Sequence, residues 1–161
     1  MLIGCPREIK PQEFRVGITP AAAHEAVAAG HRVIIEAGAG LGAGFTDADY
    51  RTAGAGIVDT AAEVFATAEL VVKVKEPQAV ERKQLREGQV LFTYLHLAPD
   101  PEQTADLLAS GVTAIAYETV TDRAGGLPLL APMSEVAGKL APQVGAWSLQ
   151  KANGGRGVLM G

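Results

Sequence analysis

Three residues have the chemistry to bind and process a small anion: Arg15, Lys75 and His96. An arginine can grip a carboxylate with two parallel hydrogen bonds. A lysine offers a compact charge to a carbonyl oxygen, and an imidazole moves protons near neutral pH. Each of the three follows a short apolar run, at 2–4, 70–73 and 90–94 respectively. Tyr117 and Glu118 follow another, at 112–116. In open α/β sheets ligands bind beyond the carboxyl ends of the strands. If these runs are parallel strands, all four loops open on one edge. Two cations and an imidazole there would suit a small carboxylate and a proton transfer.

Each residue also has a plainer reading. Arg15, alone in a polar loop, fits a surface ion pair. Alternation puts Lys73 and Lys75 on one side of a strand that Pro77 stops, and a solvated strand end would explain both. His96, between Leu95 and Leu97, fits an imidazole satisfied inside an apolar wall. His24 and His31 lie on a helix and at its exit and read as structural or surface residues. Cys5, with no histidine near it in sequence, reads as a small buried residue rather than a nucleophile. No spacing of His, Cys and carboxylates points to a metal site.

The elements that must position these residues are legible as short aliphatic runs at 2–4, 32–36, 56–58, 70–73, 90–94 and 112–116. Each reads as a strand buried on both faces. Between them lie helix starts. Thr19-Pro20 gives an N-cap and a proline at N1, Thr60 to Glu63 a capping box, and Asp100-Pro101-Glu102-Gln103 a cap with Gln at N3. Gly30 and Gly111 close helices. The alternation predicts an α/β fold, a mainly parallel sheet with helices on both faces, Rossmann-like or flavodoxin-like. Asp122 to Gly126 reads as a turn that could join 119–121 and 127–130 in a small hairpin. After Pro132 a longer helix is expected over about 134–150, kinked by Pro142 and Gly145. The glycine-rich end, 153–161, reads as a chain cut off before another strand.

Gly38, Gly40 and Ala43 fill the pattern G-x-G-x-x-A, with Asp59 about 20 residues on, as in a dinucleotide fingerprint. That fingerprint needs a helix to begin inside the glycines. Here the helix start is later, at Thr46, and Asp47 and Asp49 would repel a phosphate. A flexible surface loop is expected instead.

Composition closes off other classes. The 161 residues carry a net charge of -4, with no basic footprint for nucleic acid. No apolar run reaches the roughly 18 residues of a membrane span, and residues 1–8 do not form a signal peptide. One cysteine cannot make an internal disulfide. A cytoplasmic protein, without nucleic-acid or membrane partners, is expected.

Pro6-Arg7-Glu8-Ile9-Lys10, Glu13-Phe14-Arg15-Val16, Lys73-Val74-Lys75-Glu76-Pro77, Thr93-Tyr94-Leu95-His96-Leu97, Tyr117-Glu118-Thr119-Val120 and Pro132-Met133-Ser134-Glu135 follow one another along the chain. As a set they resemble the alanine dehydrogenases. The resemblance implies NAD-dependent interconversion of L-alanine with pyruvate and ammonia. It implies that Arg15 and Lys75 bind substrate, that His96 is the general acid/base with Lys75 polarising the carbonyl, and that Met133 and Ser134 lie where substrate and cofactor meet. It also implies a homo-oligomer, a hexamer in full-length members, and members more than twice this length. Residues 1–131 then correspond to the substrate-binding domain and 132–161 to a linker helix and the start of the NAD-binding domain. Two other readings stay open: a stand-alone module that binds a small carboxylate, and a domain like the transhydrogenase α subunit.

Overall fold

Six parallel strands form one sheet: β1 (Leu2–Cys5), β2 (Arg32–Glu36), β3 (Gly56–Val58), β4 (Leu70–Val72), β5 (Val90–Thr93) and β6 (Thr113–Ala116). Their order is β3-β2-β1-β4-β5-β6, the Rossmann order of doubly wound sheets. The computed structural model describes residues 1–160. Six α-helices accompany the strands: α1 (Pro20–Ala28), α2 (Asp47–Thr52), α3 (Ala61–Thr67), α4 (Ala79–Arg82), α5 (Pro101–Ser110) and α6 (Ala131–Leu149).

The helices start where the caps require. Thr19 Oγ1 accepts from Ala22 N at 3.2 Å, with Pro20 at N1. Thr60 Oγ1 accepts from Glu63 N, and Asp100 Oδ1 from Gln103 N. Thr46 and Asp49 cap each other reciprocally at α2. Gly111 ends α5 in the left-handed conformation (φ 68°), which an L residue adopts only at a cost.

The core has two halves, one on each face of the sheet. Ile3, Cys5, Val33, Ile35 and Val72 pack with Ala23 of α1 and Tyr50 of α2. Val71 and Leu91 pack with Val64 and Phe65 of α3 and Leu107 of α5. Val71 and Val72 are adjacent yet belong to different halves, as the strand period of two demands. Gly4 lets α3 lie close against β1, since a Cβ there would meet Ala68 Cβ and Val64 Cγ1 at 2.7 Å.

Three local expectations are corrected. Neither edge strand is buried on both faces: Gly56 of β3 and Thr113, Ala114 and Ile115 of β6 are exposed, and each strand has one neighbour in the sheet. The hairpin is absent. Asp122 Oδ1 does accept from Ala124 N and Gly126 N at 2.8 Å, but a 3₁₀ turn (Tyr117–Thr119) precedes this turn and Pro128 interrupts the second arm. The long helix begins at Ala131, three residues earlier than expected, with Pro132 in the first turn where its missing N–H is harmless. It continues through Pro142 as one element.

The chain divides into two compact units, Met1–Tyr117 and the residues from Glu118 onward. The sheet and α1 to α5 make up the first. The second holds α6, where the sequence placed the boundary at 131/132.

Candidate functional site

The sheet order places a topological switch point between β1 and β4: the chain runs outward to β2 and β3 on one side, and to β5 and β6 on the other. A crevice forms beyond the carboxyl ends of the strands at such a point. The loop after β1 carries Arg15 and the segment after β4 carries Lys75, so the two cations flank it. His96 follows β5, the next strand over. All three therefore lie on one edge of the sheet.

Arg15 is held by its own loop. Glu13 Oε1 accepts from Arg15 Nε at 2.8 Å, and Oε2 from Nη2 at 2.6 Å. This fork-to-fork pair holds the Glu13 carboxyl below its ordinary range, with the charge of Lys75 adding to the effect. Arg15 is raised in return, and it feels Tyr94 and Glu8 as well. A cleft of about 230 Å³ opens here, lined by Arg7, Glu8, Glu13, Arg15, Gly38 and Gly42 among others. That is below the roughly 300–1,000 Å³ of drug-sized sites and fits a small molecule. Lys75 and His96 are not among its lining residues.

Lys75 is partly exposed, 3.8 Å from Glu76 Oε2. Burial would raise the Glu76 carboxyl, but a hydrogen bond from Lys10 and the charge of Lys75 outweigh it, and the group is held low. His96 is exposed, not embedded in an apolar wall. Its φ is +49°, and its ring stacks on Tyr94 with centroids 6.2 Å apart and planes 19° off parallel. Tyr94 meets Tyr117 edge-on at 5.0 Å, and Phe92 meets Tyr117 at 4.3 Å. This aromatic group carries His96 at the end of β5. Burial raises the Tyr117 phenol well above its ordinary value, keeping it neutral.

The Lys73 expectation is overturned. β4 ends at Val72, so alternation does not extend to Lys73, which is fully buried. Its Nζ lies 3.2 Å from Glu8 Oε2 and 2.8 Å from Glu81 Oε1. Burial opposes its charge, but Glu81 and Glu8 prevail and raise its pKa. The sequence reading missed this triad. The available signal was a lysine inside the apolar run Leu70 to Val74, where a charge must be paired.

Met133 and Ser134 lie in the second unit, on the first turn of α6, with backbone N–H groups bonded to Leu130 O at 3.0 and 3.2 Å. Tyr117 ends the first unit and Glu118 opens the second. Cys5 is buried, and burial pushes its thiol up to about 12, so it is no nucleophile.

The glycine-rich stretch follows β2, whereas a dinucleotide fingerprint occupies the turn after β1. Residues Leu41–Ala43 form a 3₁₀ turn, and Asp47 Oδ1 accepts from Gly38 N at 2.8 Å. A carboxylate thus occupies an amide that a phosphate would need. Close packing accounts for two of the glycines. A Cβ on Gly40 would meet the Tyr50 ring at 2.7 Å, and one on Gly42 would meet Phe14 O at 2.6 Å. Gly42→Ala should therefore push the Phe14–Arg15 segment outward and cost about 1–3 kcal/mol, read as a lower denaturation midpoint. A variant as stable as the parent would show that the loop yields freely.

Fold and site together define a doubly wound α/β domain with two cations across its switch point. Residues 4–137 match the family model "Alanine dehydrogenase/PNT, N-terminal domain", and the chain belongs to this family. It is 59% identical to the alanine dehydrogenase of Mycolicibacterium smegmatis over all 161 residues, and 52% identical to that of Bacillus subtilis over 160. It spans 43% and 42% of their lengths. A solved L-alanine dehydrogenase superposes with a TM-score of 0.89 at 53% identity, over 100% of this chain and 44% of the other. A transhydrogenase from Sinorhizobium meliloti gives 0.70 at 29%, over 76% and 36%. No helix among the described residues is long and apolar enough to cross a membrane.

Proposed function

We propose that this chain is the substrate-binding part of a cytoplasmic NAD-dependent alanine dehydrogenase, which interconverts L-alanine with pyruvate and ammonia. The observation that carries this reading is that the segments bearing Arg15 and Lys75 follow β1 and β4, the two strands of the switch point, with His96 after the adjoining strand. Arg15 binds the carboxylate of pyruvate, and Lys75 draws on its carbonyl oxygen. Ammonia adds to the polarised carbon while His96 moves protons between the amine and the departing water. Met133 borders the substrate, and Ser134 the cofactor. Residues 1–131 form the substrate-binding domain and 132–161 lead toward the cofactor domain.

NAD, when bound, supplies the hydride chemistry. The described residues do not fit its pyrophosphate, since Asp47 holds the Gly38 amide and Asp47 and Asp49 load the first turn of α2 with negative charge. The 161-residue chain by itself is therefore expected to bind NADH weakly or not at all. A low-micromolar calorimetric dissociation constant would return the Gly38–Gly44 loop to consideration.

Self-association belongs to the same reading. Val136, Leu140, Val144 and Trp147 are exposed along α6 at steps of four, four and three residues, which is one helical face. Dimers or larger oligomers are expected by light scattering. A clean monomer at high concentration would count against them.

The deciding experiment replaces the matching residues of the M. smegmatis enzyme with this chain and follows NADH oxidation by pyruvate and ammonia. Activity is expected. Arg15→Lys should raise the pyruvate KM with turnover largely kept, because the fork is lost and the charge stays. A folded, assembled chimera without activity would reject the reading.

A further inference from the structure

We propose that Glu8 is a positioning residue that fixes Lys75 at the switch point. This rests on the reading of Lys75 as a substrate ligand given above.

The argument begins with the end of a ladder. β1 and β4 pair through Ile3↔Leu70 and Gly4↔Val71 and no further. Beyond that point the amides of Val74 and Lys75 find no acceptor on β1 and need others. The carboxylate of Glu8, three residues past β1, supplies them. Its Oε1 accepts from Val74 N at 2.7 Å, and more loosely from Lys75 N at 3.4 Å. Its Oε2 meets the buried Lys73 ammonium. On the opposite side, Lys73 N donates to Phe92 O, Tyr94 N to Val74 O, and Thr93 Oγ1 to Lys75 O at 2.9 Å. The peptide unit before Lys75 is thus held between Glu8 and Tyr94, and the unit after it by Thr93.

Glu81 is the built-in comparison. It also pairs with Lys73, but its other oxygen accepts from Gln78 N, at the start of α4, and touches neither Val74 nor Lys75. Both carboxylates neutralise Lys73, and only Glu8 holds the backbone that bears Lys75. Glu8 also lines the cleft with Arg15. One side chain therefore links the two loops that face each other across the crevice.

The test measures the pyruvate dissociation constant by calorimetry, which needs no turnover, in the chimera described above. Glu8→Ala should weaken pyruvate binding about tenfold or more, as displacement of a binding group by a fraction of an ångström can. Glu8→Gln keeps an acceptor for the Val74 amide and should recover most of that loss. Glu81→Gln should lower the melting temperature and leave the pyruvate constant within about twofold, because Glu81 bonds to Gln78 N and not to the backbone that bears Lys75. On a Lys75→Ala background, Glu8→Ala should add nothing. Should Glu8→Ala fail to fold, Glu8→Asp keeps the charge on Lys73 while shortening the reach to the amides, and should still weaken binding several-fold. Equal weakening by Glu81→Gln, or an undiminished Glu8→Ala effect without Lys75, would overturn the proposal. A Lys75→Ala variant that binds pyruvate as tightly as the parent would instead remove Lys75 from the site, and with it the reading on which this one rests.

Discussion

Replacing His96 with asparagine in the active chimera should lower turnover about 100- to 10,000-fold, the usual range for a lost proton-transfer group. Asparagine is the informative substitution because of the backbone. His96 sits at φ +49°, in the left-handed region where asparagine is tolerated and β-branched residues are strained. The side chain is exposed, so little burial is lost with it. Thermal stability should barely move while the rate falls. Steady-state NADH oxidation and a melting curve are sufficient measurements. A drop of less than about threefold would take His96 out of proton transfer and leave it as a cap on the Tyr94 ring.

Lys73→Met should be the most damaging change to stability, at about 3–5 kcal/mol near neutral pH. Removing one partner of a buried ionic group strands the others without compensation. Here the stranded groups are the carboxylates of Glu8 and Glu81, both almost inaccessible to water. The pH dependence distinguishes this cause from a packing defect. Burial raises the Glu8 pKa above its ordinary 4.5, against the pull of Lys73 and the Val74 amide. A raised acid contributes stability that is full below its unfolded pKa and is lost as pH rises through the folded one. Taking away Lys73 raises Glu8 further, so the deficit of the variant is widest near neutrality and narrows on acidification. Lys73 is also raised above its ordinary 10.5, so the parent should lose stability as alkali carries it through that higher pKa. The variant has no such group to lose. Urea denaturation at pH 5, at pH 7 and at a pH well above 10.5 would show the pattern. An equal deficit at all three would point to lost packing.

Strands and helix starts were readable because their causes are local. Runs such as Arg32–Glu36 and Gly56–Val58 are β-branched and bounded by turns, and Thr19, Thr46, Thr60 and Asp100 cap helices from within a few residues. The parallel edge that gathers Arg15, Lys75 and His96 followed from the alternation of these elements. What was not readable depends on partners far along the chain. Strand order decides that β1 and β4 are neighbours, and no short stretch of sequence states it. The same distance hid Glu8 from Lys73, which pair across 65 residues. The clamp of Glu13 on Arg15, by contrast, spans two residues, and the surface ion pair that the polar loop suggested for Arg15 is present. The exposed β6 was missed because an apolar run at a sheet edge has the same composition as one at its centre.

The position of β1 also shapes how the chain is made. It is synthesised before the other five strands of the sheet and is one of its two central strands, with Ile3 paired to Val33 on one side and to Leu70 on the other. β2 and β3 can join it early. The opposite side must wait until residue 70 emerges, 67 residues after Ile3. At about 5–20 residues per second, that leaves the β4-facing edge of β1 uncovered for roughly 3–13 s. During that interval Ile3 and Gly4 present unpaired backbone next to apolar side chains, the surface on which nascent chains stick to one another. The ribosome-bound intermediate, rather than the finished domain, is where this fold is most exposed to misassociation and has most to gain from a chaperone.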